Sequence, residues 1–156
     1  GIAQDFFSEE FTDTNFDIIY AYGVLHHFKN VDNLITSLNK KLAPKGKIIS
    51  YDPLETSYPI WFIRKLYRPF QSDAAWEWPF TRKTVRKFQE AFTVIEKRGV
   101  LGKSKWYFLV SFLPLISKEK KLEWGKKAHQ KDWERSAVAN NHLFSCMQLN
   151  MLMQKK

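Results

Sequence analysis

Two adjacent histidines, His26 and His27, are the residues in this chain best suited to acid–base chemistry. They follow Gly23 at the end of an apolar segment that runs from Phe16 to Tyr22. Histidine gains and loses a proton near neutral pH, so either ring could act as a general base or orient a nucleophile. The residues alone leave a structural role open, in which one ring packs against the next helix and the other faces solvent.

Carboxylates near these histidines are the next candidates. Asp52 follows a second apolar segment, and because Pro53 comes next we expect it to cap a turn, although it could instead face an acceptor. Asp73 and Glu77 are the only acids between Tyr58 and Phe80, and they could contact a polar acceptor.

The elements around the histidines predict an α/β sheet. Residues 16–22 are mostly apolar without alternation, which predicts a strand buried on both faces. Asn30 is a plausible helix N-cap, and the turn at Pro44-Lys45-Gly46 ends the helix. Lys47 to Asp52 is a second strand, and the helix between two strands makes them parallel neighbours joined by a right-handed crossover. Ligands of such sheets bind beyond the carboxyl ends of the strands, where the histidines lie.

The segment from Tyr58 to Phe80 is rich in aromatic residues and is interrupted by prolines. We expect a short helix over residues 60–67 and a loop over residues 71–78. It is either a lid that shapes an apolar or planar acceptor pocket, or a satellite core under a long connection. The sequence does not decide between these two.

The C-terminal part completes a single domain over residues 1–156, with the insertion or cap at about 54–80. Thr81 is expected to cap a helix, residues 93–100 to form a strand, residues 117–137 a charged helix and residues 142–153 a terminal strand. For Trp106 to Ile116 we prefer a core strand or helix. The alternative is contact with a membrane surface, because the basic segment from Lys118 to Lys127 follows it.

Composition narrows the classes of partner and location. The single Cys146 excludes an internal disulfide and favours a cytoplasmic location. No apolar run approaches the roughly 20 residues that span a bilayer. The formal net charge of +9 is scattered in short lysine clusters without a groove-reading motif, so we do not expect a nucleic-acid partner. A small-molecule substrate is expected instead.

Two phrases of the sequence resemble the C-terminal part of class I S-adenosylmethionine-dependent methyltransferases. They are FDIIYAYGVLHHF, starting at Phe16, and LNKKLAPKGKIISYDP, ending at Pro53. The resemblance implies a Rossmann-like sheet with helices on both faces and an aromatic cap, with S-adenosylmethionine as cofactor and no metal. It also implies methyl transfer to a small-molecule or lipid-like acceptor.

The same resemblance assigns roles to individual residues. Tyr22 and Gly23, at the strand end, would contact the methionine part of the cofactor. Upstream, in the phrase Gln4-Asp5-Phe6-Phe7, Asp5 would accept a hydrogen bond from the adenine amino group, and the backbone amide of Phe6 would meet the ring nitrogen. His27, and less strongly His26, would be catalytic by removing or steering a proton of the acceptor.

One departure from the family pattern limits this interpretation. The glycine-rich turn that the family uses to approach its cofactor occurs nowhere in the 156 residues. Since the chain also opens with Gly1, we expect a fragment of a longer enzyme that is inactive alone. The alternative is a non-catalytic methyltransferase-like remnant that acts as a binding module. A nicotinamide-dependent oxidoreductase fragment is a third option, without a recognisable Tyr-Lys arrangement.

Overall fold

The fold is built on one open, four-stranded sheet. The computed structural model describes residues 5–8, 10–56, 58–70 and 76–156. The strands lie in the order β1-β2-β4-β3, with β1 and β2 parallel and β4 antiparallel to both of its neighbours. Their bounds are β1 Phe16–Tyr22, β2 Leu42–Pro53, β3 Phe92–Val100 and β4 Gln148–Lys155. The predicted parallel pair is therefore confirmed, and the terminal strand begins later than predicted.

Side-chain caps fix where three of the helices begin. Asn30, Thr81 and Ser117 each accept a hydrogen bond from a backbone N–H three residues further on. The α-helices are α1 Val31–Lys41, α2 Tyr58–Tyr67, α3 Arg82–Ala91, α4 Lys118–Val138 and α5 Asn140–Leu143. Segments of 3₁₀-helix, which has fewer residues per turn than the α-helix, occupy Leu25–His27, Arg68–Phe70 and Lys103–Phe112. Among the described residues, no helix is both long enough and apolar enough to cross a bilayer.

β2 is longer than predicted, because the turn expected at Pro44-Lys45-Gly46 is part of the strand. Leu42 already pairs with Phe16 of β1, and the register then shifts before Ile18. Lys45 takes a positive φ of 61° in this irregular stretch. At Gly46 an added Cβ would lie 2.8 Å from the Phe16 carbonyl oxygen, so close backbone packing requires glycine here.

The core lies on one face of the sheet, between the strands and helices α1 and α3. Its largest fully buried side chains include Phe80, Phe88, Leu34, Ile48 and Met153. On the opposite face of β1, Ile18, Tyr20 and Tyr22 are 60–67% exposed. The prediction that β1 is buried on both faces is therefore wrong. The described helices cover only one face of β1, and its second edge has no partner strand among the described residues.

A buried carboxylate ties α4 to the segment that follows β3. Asp132 accepts hydrogen bonds from the backbone amides of Lys103 at 3.0 Å and Ser104 at 2.8 Å, and it lies 3.0 Å from His142 Nε2. Burial raises the pKa of Asp132, but the hydrogen bonds from Ser104 and Lys103 and the nearby His142 outweigh it and leave the pKa below its usual range. This contact fixes where the 3₁₀ segment leaves the sheet.

The segment from Trp106 to Ile116 is not the core strand or helix that we preferred. Most of it lies in the 3₁₀ segment Lys103–Phe112, and its large apolar side chains face solvent, Phe112 being 75% exposed. α4 packs against Tyr107 of this run, but no described element covers Phe108, Phe112 or Leu115.

The phenylalanines stacked around Phe88 of α3 give the first test of the fold. Phe88 is fully buried between Phe80, at 5.4 Å between ring centroids, and Phe92, at 6.3 Å. Replacing it by alanine (Phe88→Ala) should lower the free energy of unfolding by about 3–5 kcal/mol, because the cavity cannot collapse around a lost ring. Urea unfolding followed by circular dichroism measures this. The control Lys83→Ala, at an exposed position of the same helix, should stay within about 0.5 kcal/mol; equal losses would contradict the packing.

Candidate functional site

His26 and Asp52 form a buried pair across the ends of the two parallel strands. His26 is 6% exposed and Asp52 is fully buried. Oδ1 of Asp52 accepts a hydrogen bond from the His26 backbone amide at 3.1 Å and lies 3.0 Å from His26 Nδ1. We predicted that Asp52 caps the turn at Pro53, and this is wrong. The carboxylate instead reaches from β2 to the loop after β1 and holds the histidine loop there.

His27 is exposed, and its ring is held by the aromatic segment. Nδ1 of His27 lies 2.8 Å from the carbonyl oxygen of Trp76. Because a carbonyl oxygen only accepts, Nδ1 carries the proton, and the lone pair of the neutral ring lies on Nε2. The backbone amide of Trp78 also donates to the carbonyl oxygen of His26 at 2.8 Å. The two histidines and this end of the segment are thus fixed against each other.

These contacts build one wall of a cleft of about 580 Å³. A volume in the range of about 300–1,000 Å³ is typical of small-molecule sites. The residues that line the cleft are aromatic or polar: the aromatic ones are Phe7, Phe28, Trp76 and Trp78, and the polar ones are His27, Lys29, Asn30, Asn33, Thr36 and Ser37. An imidazole with a lone pair therefore borders a space with apolar and polar walls.

The predicted cap divides into two parts. Trp76 and Trp78 line the cleft, which favours a lid over a satellite core for this end. Trp61, on α2, is not among the described residues that line it. Asp73 and most of the predicted loop over residues 71–78 lie outside the described residues. Glu77 interacts electrostatically with the guanidinium of Arg64. Burial lowers the pKa of Arg64, and the negative charges of Glu77 and Glu55 offset part of that lowering. Glu77 therefore has a cationic partner inside the cap.

Tyr22 and Gly23 lie at the strand end, as predicted, but outside the cleft lining. The ring of Tyr22 is 62% exposed and stacks on Tyr51 of the neighbouring strand, with ring centroids 4.7 Å apart. Burial, and then the nearby Tyr22, raise the pKa of Tyr51. Gly23 has φ 65° and donates its N–H to the Tyr51 carbonyl oxygen at 2.7 Å. A Cβ there would meet nothing within 4 Å, so the backbone conformation is what requires glycine.

Asp5 and Phe6 lie in a turn that packs beside the histidine loop. Oδ1 of Asp5 accepts a hydrogen bond from the Phe7 amide at 2.9 Å, as a surface turn residue does. The ring of Phe6 lies 6.4 Å from that of Phe28, which places the turn next to the cleft. Gln4 lies outside the described residues. A carboxylate has about four acceptor positions, so Asp5 can still accept from an exocyclic amine, and its adenine role stays a prediction.

A known family accounts for this arrangement. Residues 2–96, well over half of the chain, match the family described as "Methyltransferase domain". The chain belongs to this family. The matched part runs through β1, the histidine loop, β2 and the cap into β3. No curated protein sequence matches the chain.

Solved structures agree with this fold class. A Galdieria sulphuraria protein assigned as a sarcosine dimethylglycine methyltransferase is 13% identical, with TM-score 0.54, over 98% of this chain and 58% of its own. A Mycobacterium tuberculosis cyclopropane synthase is 15% identical, with TM-score 0.52, over 94% and 57%. A mycolic acid cyclopropane synthase complexed with S-adenosylhomocysteine is 16% identical, with TM-score 0.51, over 94% and 57%. The α/β, Rossmann-like methyltransferase fold is therefore confirmed, and the chain spans somewhat more than half the length of these proteins.

The buried pair predicts an ordered series of stabilities. Asp52→Ala leaves two donors of His26 without their acceptor, which should cost about 2–4 kcal/mol of unfolding free energy. Asp52→Asn keeps an amide oxygen that can accept from the His26 backbone, so it should cost clearly less. Urea unfolding of the three proteins measures this order. Equal stability of the alanine and asparagine variants would show that the carboxylate does not hold the loop.

Proposed function

We propose that this chain forms the acceptor side of an S-adenosylmethionine-dependent methyltransferase that acts on a small-molecule or lipid-like acceptor. The observation that carries the proposal is the placement of His27 at the aromatic cleft, with Nδ1 held by the Trp76 carbonyl oxygen. Family membership supports methyl transfer as the reaction class. The acceptor and the activity belong to the complete enzyme, since the chain spans only part of its structural relatives.

The residues of this chain fit one side of the cofactor. Asp5 offers an exposed carboxylate acceptor for an exocyclic amine, with the Phe6 amide next to it, and Tyr22 offers an exposed aromatic ring at the end of β1 beside Gly23. The glycine-rich turn is not among the 156 residues, so the other side must be supplied from outside them. When bound, S-adenosylmethionine supplies a methyl group that is already activated by its sulfonium.

His27 is the group that we assign to proton transfer. With Nδ1 donating to Trp76, Nε2 is the base that can take a proton from an oxygen or nitrogen nucleophile in the cleft. His26 is a positioning residue, because its ring and backbone are bound to the buried Asp52. It fixes the direction in which the neighbouring His27 leaves the backbone.

The aromatic walls bind the acceptor and keep water away from it. Trp76 and Trp78 present large apolar surfaces on one side of the cleft, which suits a planar or aliphatic acceptor. Asn30 and Asn33 on the polar side can orient a polar group of the same molecule. Because the methyl donor is activated, such orientation and desolvation supply most of the rate enhancement.

The test replaces His27 in the protein made from the complete reading frame. His27→Ala should lower turnover by about 10²–10⁴-fold, because the nucleophile loses its base. Binding of S-adenosylhomocysteine, measured by calorimetry, should change less than about twofold, since His27 is assigned to the acceptor. Turnover is measured as transfer of a labelled methyl group to an extract of small molecules and lipids.

A matched histidine serves as the control. His129 is exposed on α4, away from the cleft lining, and its ring lies 3.1 Å from Ser104 Oγ. His129→Ala should leave turnover unchanged. If His27→Ala also leaves turnover unchanged, the catalytic assignment fails. If it abolishes binding of S-adenosylhomocysteine instead, His27 belongs to the cofactor side.

A further inference from the structure

A second surface of the molecule, remote in sequence from the cleft, has an apolar character that the proposed function does not use. It is a tip of large apolar side chains after β3, which we call the apolar tip. Its members are between 41% and 97% exposed, and they are Trp106, Phe108, Leu109, Phe112, Leu113 and Leu115. Monomeric proteins rarely expose so many large apolar groups together, and such patches mark interaction sites.

Contacts between Tyr107 and α4 hold the apolar tip in place. The hydroxyl of Tyr107 donates to the carbonyl oxygen of Lys121 at 2.5 Å, and the Tyr107 ring packs so closely on Gly125 that a Cβ there would lie 3.1 Å from it. Asp132 holds the start of the same segment. The segment is thus fixed on α4 through Tyr107, while the residues on either side of Tyr107 stay exposed.

Positive charge surrounds the apolar tip. Between residues 103 and 127 the chain has seven lysines and two glutamates, a net charge of +5. Lys118, Lys120 and Lys126 are exposed on the N-terminal half of α4, directly after the tip. Lys121 joins the two parts, because its Nζ donates to the Ser111 carbonyl oxygen at 2.9 Å. Lys121 therefore lies against the apolar segment, and Lys118 and Lys120 follow Leu115 within five residues of the chain.

We propose that the apolar tip inserts into the surface of an anionic lipid bilayer, with the lysines of α4 against the headgroups. Aromatic and leucine side chains next to a basic helix are the combination that binds at such an interface, because apolar burial and attraction to anionic lipid act together. A neutral apolar partner would not require the charge, and a nucleic acid would not require the exposed leucines. The contact is interfacial, since no described helix could cross the bilayer.

Vesicle binding of the chain tests this proposal. Sedimentation with vesicles of phosphatidylcholine mixed with phosphatidylglycerol should show binding at least about tenfold tighter than with phosphatidylcholine alone. Added salt should weaken it, because ions screen exposed lysines. Absence of binding to the mixed vesicles, or equal binding to both kinds, would overturn the proposal and favour a protein surface as the partner.

Paired variants distinguish vesicle binding through the apolar tip from non-specific binding through other exposed apolar residues. The triple variant Phe108→Ser, Phe112→Ser, Leu115→Ser should bind the mixed vesicles at least about tenfold more weakly, since the inserted groups are gone. The double variant Ile18→Ser, Tyr20→Ser changes exposed apolar residues on β1 and should bind as the parent does. Circular dichroism verifies that both variants are folded. Similar losses in the two variants would overturn the assignment to the tip.

The charge requirement is tested in the same assay. Lys118→Gln, Lys120→Gln, Lys126→Gln should weaken binding about tenfold or more and reduce its salt dependence. The matched control removes three exposed cations from α1 and α3, with Lys40→Gln, Lys83→Gln, Arg86→Gln. The control should bind within about twofold of the parent chain, because none of the three cations belongs to the tip or to α4. If both triple variants bind equally, net charge rather than the surface beside the tip attracts the vesicle, and the proposal fails.

Discussion

The buried contact between the Asp52 carboxylate and His26 holds the candidate site together. It joins the carboxyl end of β2 to the loop after β1, and two donors of His26 converge on one oxygen of Asp52. The His26 carbonyl oxygen then accepts from Trp78, and the Trp76 carbonyl oxygen accepts from His27. Because burying a carboxylate is costly without such partners, the loop and the cap are fixed as one unit. The second carboxylate oxygen of Asp52, Oδ2, is buried and has no hydrogen-bond partner among the described residues.

Local signals in the sequence were enough for the elements that carry this site. Asn30 and Thr81 stand at helix starts because their side chains satisfy an amide near by in sequence, so neighbouring residues suffice to predict them. Burial depends on distant elements, and there the sequence misled. β1 is apolar on both faces, yet Tyr20 remains exposed because nothing described covers it. The run from Trp106 to Ile116 was predicted to be core for the same reason.

The position of the site could be predicted from the sequence, but the hydrogen-bond partners of its residues could not. His27 follows a strand that ends at the ligand-binding edge, and the sequence predicts that much. The pairing of His26 with Asp52 depends on strand register: Tyr22 lies level with Tyr51, which puts the next residues of the two strands side by side. That register follows from the irregular passage at Leu42–Gly46, which no local pattern reveals. The sequence signal that could have indicated this pairing was a histidine and an aspartate just after two strands that were predicted to be adjacent and parallel.

Binding of S-adenosylhomocysteine tests most directly whether this chain belongs to an enzyme that binds the methyl donor. Calorimetric titration would compare the 156-residue chain with the protein made from the complete reading frame. We expect saturable binding to the complete protein, weakened by Tyr22→Ala, and much weaker binding to the 156 residues, because they contain no glycine-rich turn. No binding to either protein would contradict it and would support a binding module without catalytic activity.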